Sequence, residues 1–279
     1  MDYTTLISVA ELAKHLNDPE VVVFDCRHEL TNADFGPKAY AESHIPGARF
    51  ANIDKNLSGS LTGKNGRHPL PDAGSFMEWL GRLGVSNASQ VVGYDHAGGP
   101  YGARLWWLMR WLGHSRVAIL DGGWQAWNAA GQPVTKDVPA PKPAEFSGKP
   151  DHSRVDAQYV SQRLKTADMV LIDARASDRF HGQNETIDPV AGHIPGALNR
   201  FFKDNLDAKG QFKSPEELRA AFNPLIGSTP AEKVIHQCGS GITACHNLLA
   251  MEVAGIKGTR LYSGSWSEWI ADPSRPVAK

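Results

Sequence analysis

The sequence has little that would tie it to an oxidising compartment, a membrane or nucleic acid. It has only three cysteines in 279 residues, Cys26, Cys238 and Cys245, which are too few and too scattered for a disulfide framework. The formal net charge is -1, so the totals give no basis for binding nucleic acid or acidic lipid. No apolar run reaches membrane-spanning length, and residues 1–4 lack the basic start of a secretory signal. We therefore expect a cytoplasmic protein with no nucleic-acid or membrane partner.

Motifs for cofactors are also missing from the sequence. No closely spaced group of cysteines and histidines suggests a metal, and no Gly-Lys-Ser/Thr loop suggests a nucleotide. We expect neither a metal nor another cofactor. The chain does have ordinary globular composition, 41% hydrophobic and 21% charged, over a length that suits one large or two medium domains.

A duplicated pattern divides the chain into two halves. Residues 170–175 resemble 22–27, residues 193–197 repeat 44–48 letter for letter, and residues 263–269 resemble 121–127. Three matches in the same order at nearly constant spacing indicate a duplicated domain. Between the halves, prolines recur at positions 133, 139, 141, 143 and 150, which is typical of an extended linker. We predict domains at 1–132 and 151–279, joined by a Pro-rich linker at 133–150.

Each half alternates short apolar runs with segments of helical spacing. Residues 21–24 and 91–94 are examples of the apolar runs in the first half. This alternation predicts an α/β fold, in which each domain has a parallel sheet flanked by helices on both faces. Ligands in such folds bind at the carboxyl ends of the strands.

The strongest functional signal is a cysteine loop in the second half. An apolar run at 234–237 is followed by Cys238-Gly239-Ser240-Gly241-Ile242-Thr243-Ala244 and then by helical spacing. A thiol at the amino end of a helix receives backbone N–H groups and the helix dipole, which favour the thiolate. The alternative is a buried, inert cysteine beside a glycine turn. The repeat places Asp95 opposite Cys238, so only the second half offers a thiol at this position.

These features together resemble tandem rhodanese-type sulfurtransferases over nearly the whole chain. Each half has an Asp-x-Arg strand end, a His-Ile-Pro-Gly-Ala motif and a Gly-x-Trp segment. The cysteine loop is similar to that of the branch that uses 3-mercaptopyruvate, whereas thiosulfate-preferring members carry basic residues at the places of Gly239 and Ser240. The resemblance implies that Cys238 takes sulfur from a small-molecule donor as a persulfide. It then passes the sulfur to a thiol, cyanide or a thioredoxin-like protein.

The resemblance also implies roles for particular residues. It assigns a proton relay to Ser240, His68 and Asp54, and donor binding to Arg179 together with the loop residues Gly239, Gly241, Ile242 and Thr243. The family has a second donor-binding arginine near Thr186, but here residues 183–189 are acidic. The donor therefore stays open between 3-mercaptopyruvate and thiosulfate.

Two further functions compete with sulfur transfer. A cysteine phosphatase would need an arginine at the end of the loop, where this chain has Thr243 and Ala244. A phosphatase is therefore disfavoured. A non-enzymatic rhodanese-like module that binds partners or senses redox state is an alternative that the intact cysteine loop argues against.

Overall fold

The structure, a computed structural model, describes residues 2–164, 166 and 168–279. Its contacts divide the chain into two compact units. The first comprises the chain up to Gly59, with Pro71–Asp151 and Lys209–Gln211; the second comprises Ser60–Leu70, His152–Ala208 and Phe212–Lys279. The predicted domain limits stay a prediction, and residues 1, 165 and 167 of those domains lie outside the described residues.

The first unit is built on a parallel sheet of five strands in the order β1-β5-β4-β2-β3. Its strands are β1 (Leu6–Ile7), β2 (Val21–Asp25), β3 (Arg49–Phe50), β4 (Gln90–Tyr94) and β5 (Val117–Leu120). Its helices are α1 (Val9–Lys14), α2 (Phe35–Glu42), α3 (Ala73–Arg82), α4 (Pro100–Trp111) and α5 (Gly123–Ala129). Every residue of β2 and β4 is buried, as expected for parallel strands covered on both faces.

The second unit repeats this plan with the strand order β6-β10-β9-β7-β8. Its strands are β6 (Arg154–Val155), β7 (Val170–Asp173), β8 (Leu198–Asn199), β9 (Val234–Gln237) and β10 (Arg260–Tyr262). Its helices are α6 (Ala157–Leu164), α7 (Ser177–Phe180), α8 (Pro215–Ile226), α9 (Thr243–Val253) and α10 (Ser265–Trp269), with 3-10 turns at Phe202–Asn205 and Ala231–Lys233. The predicted fold class, two α/β domains with parallel sheets, is confirmed.

The repeated motifs make the same contacts in both units. Arg27 binds Asp25 through Nε and Nη2, and Arg175 binds Asp173 in the same way, so each pair is a buried bidentate ion pair at a strand end. The histidine of the His-Ile-Pro-Gly-Ala motif stacks on an aromatic ring in each unit, with 3.9 Å between ring centroids for both His44 and His193. Because the same contacts occur in the half without Cys238, these residues have a structural role.

Among the helices of the described residues, none has the length and apolar character that crossing a bilayer requires.

Candidate active site

Cys238 lies where the central strand of the second sheet turns into a helix. Strand β9 ends at Gln237 and helix α9 begins at Thr243, so residues 238–242 form a short loop, the Cys238 loop. The backbone N–H of Gly241 donates a hydrogen bond to Cys238 Sγ at 3.1 Å. The cysteine is 2% exposed. Its sulfur therefore sits in a largely dry site at the amino end of an 11-residue helix, where a negative charge is stabilised.

The chain around the loop requires its glycine and fixes its backbone. Gly241 has φ of +81°, and a Cβ there would lie 2.3 Å from the carbonyl oxygen of Ser263. Only glycine suits that conformation and that close approach. The segment that starts α10 also holds the loop, because Trp266 N–H donates to Cys238 O and Ser267 N–H donates to Gly239 O, both at 3.0 Å.

The matching loop of the first unit holds a carboxylate in place of the thiol. Asp95 Oδ1 accepts backbone N–H groups of Ala97 and Gly99, and Oδ2 accepts those of Tyr101 and Gly102, at 2.8–2.9 Å. Burial raises the pKa of Asp95, and the N–H donors of Gly102, Gly99 and Ala97 oppose that rise. A loop of this kind between strand and helix thus binds an anion through its backbone.

The other two cysteines are packed in the cores of their units. Cys26 and Cys245 are both fully buried, and burial raises the pKa of Cys26 well above its ordinary value. The Cys245 thiol donates to Gly241 O at 3.2 Å from inside α9. Ile242 and Thr243, which complete the loop and open α9, are buried and half-buried.

His68 and Ser240 meet in the second unit. His68 Nδ1 lies 2.7 Å from Ser240 Oγ, and the two residues are 5% and 6% exposed. The segment that carries His68 approaches the start of α10 closely, since Arg67 N–H donates to Ser267 Oγ at 3.0 Å. A Cβ on Gly66 would lie 2.7 Å from Gly264 O, so a residue with a side chain would push this segment away.

The predicted partner of His68 lies in the other unit. Asp54 belongs to the first unit, where its carboxylate oxygen Oδ2 lies 4.0 Å from Nδ1 of His28 and its side chain is 43% exposed. The relay role of Asp54 stays a prediction.

Arg179 lies at the Cys238 loop within a network of acidic and basic side chains. Its guanidinium binds both oxygens of Glu185 at 2.9–3.2 Å, and Nη2 also binds Asp188 Oδ2 at 3.1 Å. The other oxygen of Asp188 accepts a hydrogen bond from Nη1 of Arg67. Asp188 therefore bridges two arginines that are far apart in sequence.

Both arginines reach the first residue after the cysteine. A Cβ on Gly239 would lie 2.8 Å from Arg67 Nη2 and 3.9 Å from Nη1 and Nη2 of Arg179. The sequence analysis did not identify Arg67 as a site residue. It lies more than a hundred residues before the Cys238 loop, and no sequence pattern connects the two. The acidic segment 183–189 was the available signal, since buried carboxylates need cationic partners.

The pKa values of the two carboxyl groups in this network, Asp188 and Glu185, are shifted in opposite directions. Burial raises the pKa of Asp188, and the charge and hydrogen bond of Arg67 only partly offset that rise. Burial also acts to raise the pKa of Glu185, but the N–H groups of Asp188 and Ile187 and the guanidinium of Arg179 together lower it. Asp188 is therefore the easier of the two to protonate.

The chain is similar to known proteins over nearly its whole length. The Rhodanese-like domain family matches residues 8–130 and 156–272. A probable 3-mercaptopyruvate sulfurtransferase of Pseudomonas aeruginosa is 46% identical over 281 residues, covering 100% of this chain and 99% of that protein. A thiosulfate sulfurtransferase of Cricetulus griseus is 35% identical, covering 99% and 96% of the two chains. The crystal structure of a 3-mercaptopyruvate sulfotransferase from Escherichia coli superposes with a TM-score of 0.82 at 30% identity, covering 95% and 99%.

Two parallel-sheet units with a single thiol loop define a tandem rhodanese architecture. The chain belongs to the rhodanese family and carries two copies of its domain. It is an enzyme of the sulfurtransferase class and takes a sulfur donor as its substrate.

Proposed function

We propose that the chain transfers sulfur from 3-mercaptopyruvate through a persulfide on Cys238. The observation that carries the proposal is the hydrogen bond from Gly241 N–H to Cys238 Sγ at the amino end of α9. The thiolate is the nucleophilic form of cysteine, and backbone N–H groups at the amino end of a helix interact favourably with its negative charge. The backbone N–H groups of the Cys238 loop would then stabilise the terminal sulfur of a persulfide anion, as the matching loop stabilises the carboxylate of Asp95.

The first half-reaction exchanges one bond to sulfur for another. The Cys238 thiolate attacks the sulfur of 3-mercaptopyruvate, so an S–S bond forms and the donor's C–S bond breaks. The electron pair of the broken bond goes to the leaving enolate of pyruvate. The proton that the donor thiol carried ends on the methyl carbon of pyruvate, and the enzyme keeps a persulfide. In the second half-reaction the acceptor attacks the outer sulfur and restores the Cys238 thiolate.

Ser240 and His68 would move that proton in this scheme. The hydrogen bond of 2.7 Å between His68 Nδ1 and Ser240 Oγ connects the loop to an imidazole that can accept and return a proton. Asp54 would orient the imidazole in this scheme, a role that rests on the family resemblance. Gly239, Ile242 and Thr243 would bind the donor through their backbone, as the resemblance implies.

A small thiol, cyanide or a reduced thioredoxin-like protein would take the outer sulfur of the Cys238 persulfide. A cytoplasmic location is favoured because Cys26, Cys238 and Cys245, all among the described residues, form no disulfide bond. Thiosulfate is the second candidate donor, since full-length relatives include thiosulfate sulfurtransferases and the guanidinium groups of Arg67 and Arg179 suit an anion.

Steady-state kinetics test the choice of donor. We expect kcat/KM for pyruvate release from 3-mercaptopyruvate to exceed kcat/KM for sulfite release from thiosulfate. We expect Cys238→Ser to abolish both reactions and Cys245→Ser to retain them. A higher kcat/KM with thiosulfate would overturn the donor assignment, and activity in Cys238→Ser would overturn the mechanism.

A further inference from the structure

The two arginines at the Cys238 loop hold hydrogen-bond donors that the protein does not use. Among the described residues, Nη2 of Arg67 and Nη1 of Arg179 donate to no protein atom, while the other side of each guanidinium is held by Asp188 or Glu185. These two nitrogens are among the atoms closest to the empty Cβ position of Gly239. Unused donors of two cations therefore converge beside the residue that follows Cys238.

The position of these donors matches the shape of a short 2-oxo acid. In 3-mercaptopyruvate the carboxylate is the third carbon from the reacting sulfur. When that sulfur is at Cys238 Sγ, a carboxylate three carbons away can reach the space beside the following residue. Gly239 leaves this space open because it has no side chain. Guanidinium groups bind carboxylates with directed, charge-assisted hydrogen bonds.

We propose that Arg67 is the second guanidinium that binds the donor's carboxylate, beside Arg179, and that Asp188 positions the pair over Gly239. Arg67 thus supplies from the segment Ser60–Leu70 the positive charge that the acidic segment 183–189 lacks. Asp188 has a side chain that is 2% exposed, and its two oxygens fix one arginine each. This assignment rests on the proposed function in that the donor is a mercapto-2-oxo acid.

Alkylation of Cys238 measures carboxylate recognition without requiring sulfur transfer. 3-Bromopyruvate has the carbon frame of 3-mercaptopyruvate with an electrophilic methylene, and bromoacetone is the same reagent with a methyl group in place of the carboxylate. The rate of modification of the Cys238 peptide, followed by mass spectrometry, gives the ratio of the two rate constants. Changes in thiol reactivity affect both reagents, so they cancel in this ratio.

We expect the wild-type protein to react preferentially with bromopyruvate. Arg67→Met and Arg179→Met should each lower the ratio by ~10- to 100-fold, because each removes a charge-assisted contact. Arg154→Met, which removes an exposed arginine of β6, should leave the ratio unchanged. A wild-type ratio in Arg67→Met alongside a lowered ratio in Arg179→Met would overturn the assignment.

A measurement on the wild-type protein covers the case in which Arg67→Met does not fold. Phenylglyoxal modifies accessible arginines, and the Arg67 side chain is 28% exposed. Pyruvate should slow the modification of Arg67 and Arg179 but not that of Arg154. Protection of Arg179 without protection of Arg67 would contradict the proposal. Failure of the Cys238 peptide to gain sulfur from 3-mercaptopyruvate would instead contradict the proposed function, even where both arginine results are as expected.

Discussion

His68 Nδ1 lies 2.7 Å from Ser240 Oγ, although the two residues are 172 positions apart in the chain. The pair is buried and belongs to one compact unit, since the segment Ser60–Leu70 is part of the second unit. A histidine that holds a serine at the edge of a thiol loop can serve a reaction whose leaving group needs a proton. Such a pair contributes less to catalysis when the leaving group is already a stable anion and needs no proton.

Removing the imidazole should therefore affect the two donors differently. We expect His68→Ala to lower kcat with 3-mercaptopyruvate by ~100-fold, a typical effect of general acid–base groups, and to lower kcat with thiosulfate much less. The reason is that sulfite leaves as a stable anion, whereas the pyruvate enolate must be protonated. His152→Ala, at an exposed histidine of the same unit, is the matched control. An equal loss with both donors would count against the relay.

Gly239 offers a way to move Arg67 without changing it. A Cβ at this position would lie 2.8 Å from Arg67 Nη2, so Gly239→Ala should displace the guanidinium. We expect KM for 3-mercaptopyruvate to rise by ~10-fold, while thermal stability changes little. Gly74→Ala, in helix α3 of the first unit, adds the same methyl group away from the loop and should leave KM unchanged. An unchanged KM in Gly239→Ala would show that the arginine is not needed there.

The pH dependence of carboxylate recognition follows from Asp188. Burial raises its pKa, so it becomes uncharged at a higher pH than an ordinary carboxyl as the solution is acidified. An uncharged Asp188 has only one full acceptor oxygen, so it no longer holds both Arg67 and Arg179, while Glu185, whose pKa is lowered, stays ionised. We expect the ratio of bromopyruvate to bromoacetone alkylation to decrease as the solution is acidified from neutral pH, beginning above the range of an ordinary carboxyl.

The variant Asp188→Asn isolates this effect. It removes the titrating charge but keeps an oxygen that can accept from Arg67, so its alkylation ratio should not change as the solution is acidified. The same pH profile in wild type and Asp188→Asn would assign the titration to another group.

The loop of the first unit that contains Asp95 allows a prediction about stability. The side chain of Asp95 accepts four backbone N–H groups. Asparagine has one oxygen and an NH2 group, so two of these buried donors would lose their acceptor. We expect Asp95→Asn to lower the free energy of unfolding by about 2–6 kcal/mol, measured by denaturant titration. Asp137→Asn, at an exposed carboxylate, should be close to neutral; an equally small effect at Asp95 would contradict this account.

The sequence was sufficient to predict the fold and the cysteine loop because both leave local signals. Buried parallel strands appear as apolar runs such as Val234–Gln237, and a thiol at a strand–helix junction appears beside glycines. The internal repeat also predicts that Asp95 and Cys238 occupy matching loops, since the two residues follow matching strands. These features depend on residues that are close together in the chain.

Arg67 shows why part of the site could not be predicted. Its position depends on how the segment Ser60–Leu70 packs on the start of α10, through Gly66, Arg67 and Ser267. No periodicity or spacing encodes that contact. In the sequence, the acidic residues Glu185 and Asp188 leave the identity of the donor open, whereas in the fold they bind the arginines and hold them at the loop.

The most direct test of the central claim is mass spectrometry of the protein after exposure to each donor without an acceptor. We expect the peptide that contains Cys238 to gain the mass of one sulfur atom with 3-mercaptopyruvate, more rapidly than with thiosulfate. The peptides of Cys26 and Cys245 should be unchanged, and a thiol acceptor should remove the added sulfur. A Cys238 peptide that gains no sulfur from either donor would contradict the account.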